Sequence, residues 1–204
     1  MTTNNDIQRQ YSRRQGLLIV AIIVLPMVIA YIMFKTGWGM PTDTINKGML
    51  LAPPQPVSKL ELVADDKTLQ GLYPAEKKRW RIMVPVSASC KATCQKNLFI
   101  TRQVHIRLAE KAPRVERILL ALGDVPEEQK QRLLAEHPNI LWLDSSRTAL
   151  TNWLAETNLA AIQPDEHYFL IDQDGFAMMA YNAEHSGQNL LDDLKRVLKY
   201  TYEK

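Results

Sequence analysis

The 204 residues carry 25 Lys and Arg against 22 Asp and Glu, a formal net charge of +3 at pH 7. A balance this mild argues against a nucleic-acid binder. With 46% apolar and 23% charged residues the chain is not disordered over most of its length, and two cysteines cannot frame a disulfide-rich mini-scaffold.

The apolar residues are concentrated near the N-terminus. Leu17 to Phe34 contains no charged residue and no Asn, Gln, Ser or Thr. Eighteen residues at ~1.5 Å rise span roughly 27 Å, enough to cross a bilayer core. Pro26 sits mid-span, which membrane helices tolerate, and Trp38 lies where an interfacial aromatic belongs. The run exceeds the ~7–15 residues of a signal-peptide core and no small-x-small site closes it, so it reads as an uncleaved anchor over residues 16–36. Arg9, Arg13 and Arg14 precede it, whereas only Lys35 follows closely before Lys47. The positive-inside rule then leaves residues 1–15 as a cytoplasmic tail and puts the remainder across the membrane. In a bacterial inner membrane that side is the periplasm; in a mitochondrion it is the intermembrane space. Both permit disulfide chemistry.

Residues 37–58 hold Pro41, Pro53, Pro54 and Pro56 and read as an extended tether, part of which packs on the domain that follows. From there to residue 204 the pattern alternates. Lys59–Val63 predicts a short strand, and the apolar run Trp80–Val86 a buried one. Lys91 to about Ala112 predicts a long helix and Val115–Leu122 another strand. Pro126 opens a helix to about His137, with Glu127 and Glu128 where the helix dipole favours acids. Ile140–Leu143 follows as a core strand and Ala149–Asn158 as a short helix. His167–Asp172 and Phe176–Tyr181 form a hairpin about Gln-Asp-Gly, and a helix from about Gln188 to Tyr202 closes the chain. This order predicts an α/β domain, a mixed sheet with helices on both faces.

The chemistry centres on Cys90 and Cys94, in Ser-Cys-Lys-Ala-Thr-Cys-Gln between a core strand and the long helix. Residues i and i+4 share one helical face with Cα atoms roughly 6 Å apart, which suits a disulfide or two thiolates on one metal. A helix N-terminus lowers a thiol pKa, and Lys91 adds positive charge. A purely stapling disulfide is the plain alternative, but a five-residue loop removes little chain entropy. Soft thiolates suit Cu(I), and imidazole often completes such sites. His167, at the start of the penultimate strand, is the candidate third metal ligand. His105 lies three turns beyond Cys94, His137 reads as a helix cap, and His185 precedes the last helix. Met178 and Met179 read as packing. G-x-S-x-G, P-loop and H-E-x-x-H patterns are all absent from the sequence.

With one N-terminal anchor, a Pro-rich tether, the C-x-x-x-C of Cys90 and Cys94 after a core strand, a long helix and a His-x-x-Leu-Ile-Asp-x-x-Gly hairpin, the chain resembles the Sco/SenC family of the thioredoxin superfamily. The resemblance covers roughly residues 45–204, and Asn46-Lys-Gly-x-Leu-x-x-Pro-Pro is similar to small Sco-like proteins encoded among bacterial oxidase genes. Two positions depart from the family pattern. Lys91 replaces the Pro that usually follows the first Cys, and Pro164 occupies the place of the family's third ligand, a His, three residues before His167. The resemblance implies a thioredoxin-like fold behind a single membrane helix in a bacterial inner membrane. It also implies a role in cytochrome c oxidase assembly, with a copper-site subunit or other assembly factors as partners. Cys90 and Cys94 would either carry copper as Cu(I), with His167, or reduce copper-site cysteines, Cys90 being the more exposed attacking thiol. A general periplasmic thiol–disulfide oxidoreductase and a non-catalytic docking factor are the alternatives.

Overall fold

The computed structural model describes residues 3–37, 45–63 and 78–201. It divides into two compact units, Met1–Ile45 and Asn46–Lys204. The first is built on one helix, α1 (Thr3–Thr36). Its Leu18–Thr36 stretch has a mean hydropathy of 2.6 and is nowhere buried within the protein, so it is long and apolar enough to cross a membrane. The residues expected to form a separate tail continue the same helix from Thr3.

The second unit is a six-stranded mixed sheet in the order β1-β6-β5-β2-β3-β4. Its strands are β1 (Met49–Pro56), β2 (Trp80–Ser87), β3 (Val115–Leu122), β4 (Ile140–Ser145), β5 (His167–Ile171) and β6 (Phe176–Asn182). β2, β3 and β4 run parallel; β5 pairs antiparallel with β2 and with β6, and β6 antiparallel with β1. The helices are α2 (Ala92–Arg107), α3 (Glu127–Glu136), α4 (Arg147–Ala155) and α5 (Gly187–Tyr200). Both sheet faces are covered, so the central strands are apolar at nearly every position. Ile82, Val84, Val86, Leu119, Tyr168 and Leu170 pack on one face with Cys94 and Leu98 of α2, Leu133 of α3 and Leu190, Leu191 and Leu194 of α5. Met83, Ile118, Leu120, Phe169 and Ile171 pack on the other with Leu150, Trp153 and Leu154 of α4. Period-two alternation within a continuous apolar run sorts the side chains between two cores.

Three expectations shift. Lys59–Val63 is not a strand: Val57–Lys59 is a single 3-10 turn, and Val63 makes only an isolated bridge to Asp144. The strand lies ten residues earlier, in the proline-rich segment read as tether. β1 is an edge strand, paired only with β6, and its register slips between Leu50 and Gln55, the interval that holds Pro53 and Pro54. Missing N–H groups are tolerated at an edge and a bulge. The long helix also stops early, at Arg107, and a 3-10 stretch Ala109–Arg114 follows after Ala109 takes a positive φ of 49°. Ser146 starts α4 by accepting the Ala149 N–H, two residues before the expected start.

Candidate functional site

β2 ends at Ser87, and the turn into α2 holds the two cysteines. They are joined in a disulfide, S–S 2.07 Å with Cα atoms 5.2 Å apart. The Cys90 N–H donates to the Ser87 carbonyl at 3.1 Å, and Gln95 Nε2 donates to the Cys90 carbonyl at 3.3 Å, which fixes the turn from both sides. Lys91 is the N-cap of α2, and its side chain makes no capping bond. The unfilled N–H groups and dipole of the first turn therefore favour negative charge on sulfur beside it.

Cys90 is 2% exposed and Cys94 5%. Cys94 lines a cleft of about 480 Å³ shared with Ser87, Lys91, Thr93, Arg147 and Asp165, among others, and Cys90 does not. The sequence expectation of Cys90 as the more exposed sulfur is thus reversed. Cys90 lies in the turn under the helix start, whereas Cys94 reaches the cleft from the third residue of α2.

Arg147 holds Asp165 at the cleft by two hydrogen bonds, Nη1 to Oδ1 at 2.9 Å and Nη2 to Oδ2 at 2.7 Å. The Arg147 hydrogen bond, with a smaller contribution from Lys91, keeps the Asp165 carboxyl below the usual carboxylate range, and the same hydrogen bond raises Arg147. Neither residue stands out in sequence, because eighteen positions separate them. Asn97, one turn beyond Cys94 on α2, is buried and donates Nδ2 to the Glu166 carbonyl at 3.1 Å, tying the cysteine helix to the entrance of β5. A polar residue in the buried stripe of a helix was its only signal.

His167 opens β5, as expected, and is 7% exposed. Its Nδ1 lies 2.8 Å from the Gln163 carbonyl. A carbonyl only accepts, so Nδ1 donates, and it is the neutral ring's Nε2 that offers a lone pair. Pro164 is buried in the 3-10 turn that precedes it. Among the described residues no three or more His, Cys, Asp and Glu side chains are grouped to hold a metal ion, so Cys90, Cys94 and His167 do not form a ready three-donor set. The other histidines serve the fold. His105 Nε2 meets the Val115 carbonyl, His185 braces Asn182, and His137 caps α3 beside the buried Arg117. Burial, then Arg117 and Arg102, push His137 down; burial and Arg102 lower Arg117 to about 10.

A second constellation, missed in sequence, surrounds Asp193 of α5. It is 2% exposed and accepts from the Lys47 N–H at 2.8 Å, the Gly48 N–H at 2.9 Å and the Tyr181 O–H at 2.9 Å. The Tyr181 ring stacks on Tyr168, centroids 5.2 Å apart and 8° from parallel. A Cβ at Gly48 would stand 2.5 Å from the Tyr181 ring, so only glycine fits. The Asn-Lys-Gly segment is thereby clasped to the last helix.

A family model described as transmembrane-like, thioredoxin-like, C-terminal domain matches residues 80–201. Among solved structures, yeast Sco1 with copper bound aligns over 80% of this chain and 100% of its own, with a TM-score of 0.50 and 14% identity. BsSco, a member of the Sco family of cytochrome c oxidase assembly proteins, aligns over 79% and 99%, with a TM-score of 0.48 and 14% identity. MTB dsbF in its mixed oxidized and reduced forms aligns over 60% and 84%, with a TM-score of 0.43 and 16% identity. At these identities the likeness is one of fold. No curated protein matches in sequence.

Proposed function

The chain belongs to the transmembrane-like, thioredoxin-like family, and on that premise we propose that it is a membrane-tethered thiol–disulfide exchange protein of the Sco/SenC kind. Its client is the copper-site cysteine pair of a cytochrome c oxidase subunit, and it acts on the periplasmic side of a bacterial inner membrane. The observation that supports this reading is a closed disulfide at a helix start that no side chain caps, with one sulfur lining a cleft.

The step runs as follows. With the pair reduced by a dithiol donor, the Cys94 thiolate attacks one sulfur of the client disulfide, forming a mixed disulfide and releasing one client thiolate. The Cys90 thiolate then attacks Cys94 Sγ, reforming the Cys90–Cys94 bond and releasing the second client thiolate. Two electrons pass to the client. The helix terminus stabilises the Cys90 thiolate in the resolving step. Arg147 neutralises Asp165 beside Cys94, so of the two acids that line the cleft, Asp165 and Glu166, one is removed as a bare charge facing an incoming thiolate.

Cysteine variants test the order. Cys90→Ser should accumulate the mixed disulfide through Cys94, and Cys94→Ser should not. The opposite trapping pattern would return the attack to Cys90, and trapping by neither would end the exchange reading. Serine at both positions with oxidase assembly intact would leave docking as the sole role.

A second reading, Cu(I) carriage to the same subunit, draws on the softness of the two sulfurs and on His167. With Nδ1 held by Gln163, its Nε2 carries the lone pair a soft metal needs. Cu(I) titration of the reduced protein should then show one tight site, weakened at least tenfold by His167→Ala. Unchanged affinity would leave the two thiolates as the donors.

A further inference from the structure

We propose that the outer face of α5, with the turn Ala109–Arg114, docks on an anionic bilayer surface and so sets how the domain faces the membrane. This rests on reading α1 as a membrane anchor. Lys195, Arg196 and Lys199 are exposed along α5, and Lys111 is exposed on the turn. Lys111, Lys195 and Lys199 rim a cleft of about 440 Å³ that contains Leu108. Tyr200 is 70% exposed, with the Lys199 ammonium 5.4 Å from its ring centre. Arg114 pins the turn to the end of α5, donating to the Leu198 carbonyl at 3.0 Å and the Thr201 carbonyl at 2.7 Å. Among the described residues the acids nearby are Glu110, on the cleft, and Asp192, which accepts from Gln188 at 2.6 Å. Several cations, an exposed tyrosine and an apolar recess form the combination that lies at a headgroup boundary.

The covalent chain supplies the reason for choosing a bilayer. Asp193 fastens Lys47 and Gly48 to α5, so the polypeptide arriving from the anchor meets the domain at this helix. Ten Cα steps separate Thr36 from Asn46, at most about 36 Å of extended chain. A tether of that length lets the face of α5 reach the headgroups, where a surface charge attracts Lys and Arg over roughly a Debye length.

Lysine acetylation of the full chain in nanodiscs tests this, with each site read by mass spectrometry. One set of discs is phosphatidylcholine and the other contains about 30% phosphatidylglycerol. In the anionic discs Lys111, Lys195 and Lys199 should react at least threefold more slowly than in the zwitterionic ones, while Lys130 of α3 is unchanged. Salt at ~1 M, which shortens the Debye length to about 3 Å, should abolish the difference. The double substitution Lys195→Glu, Lys199→Glu should restore Lys111 reactivity. Equal reactivity in the two discs, protection that includes Lys130, or protection that survives salt overturns the proposal. Protection by added polyglutamate but not by anionic discs overturns it too and assigns the face to an acidic polypeptide. Failure of the chain to enter discs at all refutes the anchor instead.

Discussion

Replacing Asp193 by Ala is the sharpest test of how the arriving chain is held. The carboxylate is 2% exposed and accepts three donors, two of them main-chain N–H groups 145 and 146 residues away in sequence. Truncation removes charge-assisted bonds worth about 1.5–3 kcal/mol each, but water can reach the part-buried Lys47 N–H and repair some of the loss. The Tyr181 hydroxyl keeps only a 3.5 Å contact to Met179 Sδ, a weak acceptor. Because the contacts are not additive, the net cost is about 3 kcal/mol. At a urea dependence of ~2 kcal/mol per molar, the midpoint of full-length protein in detergent, followed by tryptophan fluorescence, should fall by about 1.5 M. Gly48→Ala should be comparably harmful, because its Cβ meets a tyrosine ring held by a stack and a hydrogen bond. Both substitutions open one clasp, so the double variant should be less destabilised than the sum by at least ~1 kcal/mol. A shift below ~0.3 M for Asp193→Ala, or strict additivity, would refute the clasp.

The folded protein holds His137 below its ordinary pKa, chiefly by burial, so the unfolded chain takes up that proton first. Stability from this group is complete above the unfolded value, about 6.5, and is lost as pH falls through the lower folded value. Thermal melts from pH 7.5 to 5.5 should drop less steeply for His137→Gln than for the parent, and parallel slopes would contradict this. Arg147→Ala should cost under ~1 kcal/mol, since the pair is partly exposed. It should nevertheless leave Asp165 as a bare anion on the cleft and slow alkylation of reduced Cys94 at pH 7 several-fold, whereas Arg147→Ala combined with Asp165→Asn restores the rate. Among the described residues the buried Tyr168 hydroxyl has no hydrogen-bond partner, so Tyr168→Phe should be neutral or stabilising in urea unfolding; a loss above ~1 kcal/mol would show that the hydroxyl has a partner.

The central strands were legible because burial on both faces leaves Trp80–Val86 and Val115–Leu122 apolar at almost every position, a signal independent of tertiary detail. β1 was not legible. Its prolines forbid a central strand, and only the sheet order shows that Met49–Pro56 lies at an edge, where missing donors cost nothing. The cysteine turn was visible as a spacing, but the pair does not share a helical face as expected: Cys90 stands in the turn before α2 with a positive φ of 20°, and only Cys94 is on the helix. Which sulfur faces the cleft depends on residues brought from Leu122, Arg147 and Asp165, far along the chain. His167 was placed correctly at a strand start, but its ring orientation follows from the Gln163 carbonyl, a main-chain group with no mark in the sequence. Nothing in the sequence marks Asp193; its burial is visible only with Lys47 and Gly48 against it.

The disulfide itself shapes the copper question. Closing a five-residue loop is worth about 2 kcal/mol by chain entropy, the low end of what a disulfide contributes. The same sulfurs cannot be both bonded to each other and ligands as thiolates, so two electrons must enter before Cu(I) is held. Copper that binds only the reduced pair must make that pair easier to form. For a two-electron couple, each tenfold excess of free Cu(I) over its dissociation constant should raise the apparent reduction potential by about 30 mV. A hundredfold excess should therefore give about 60 mV in a glutathione redox titration of the full chain. A potential indifferent to Cu(I), in protein shown to carry the metal, would place copper away from Cys90 and Cys94 and leave the pair to exchange alone.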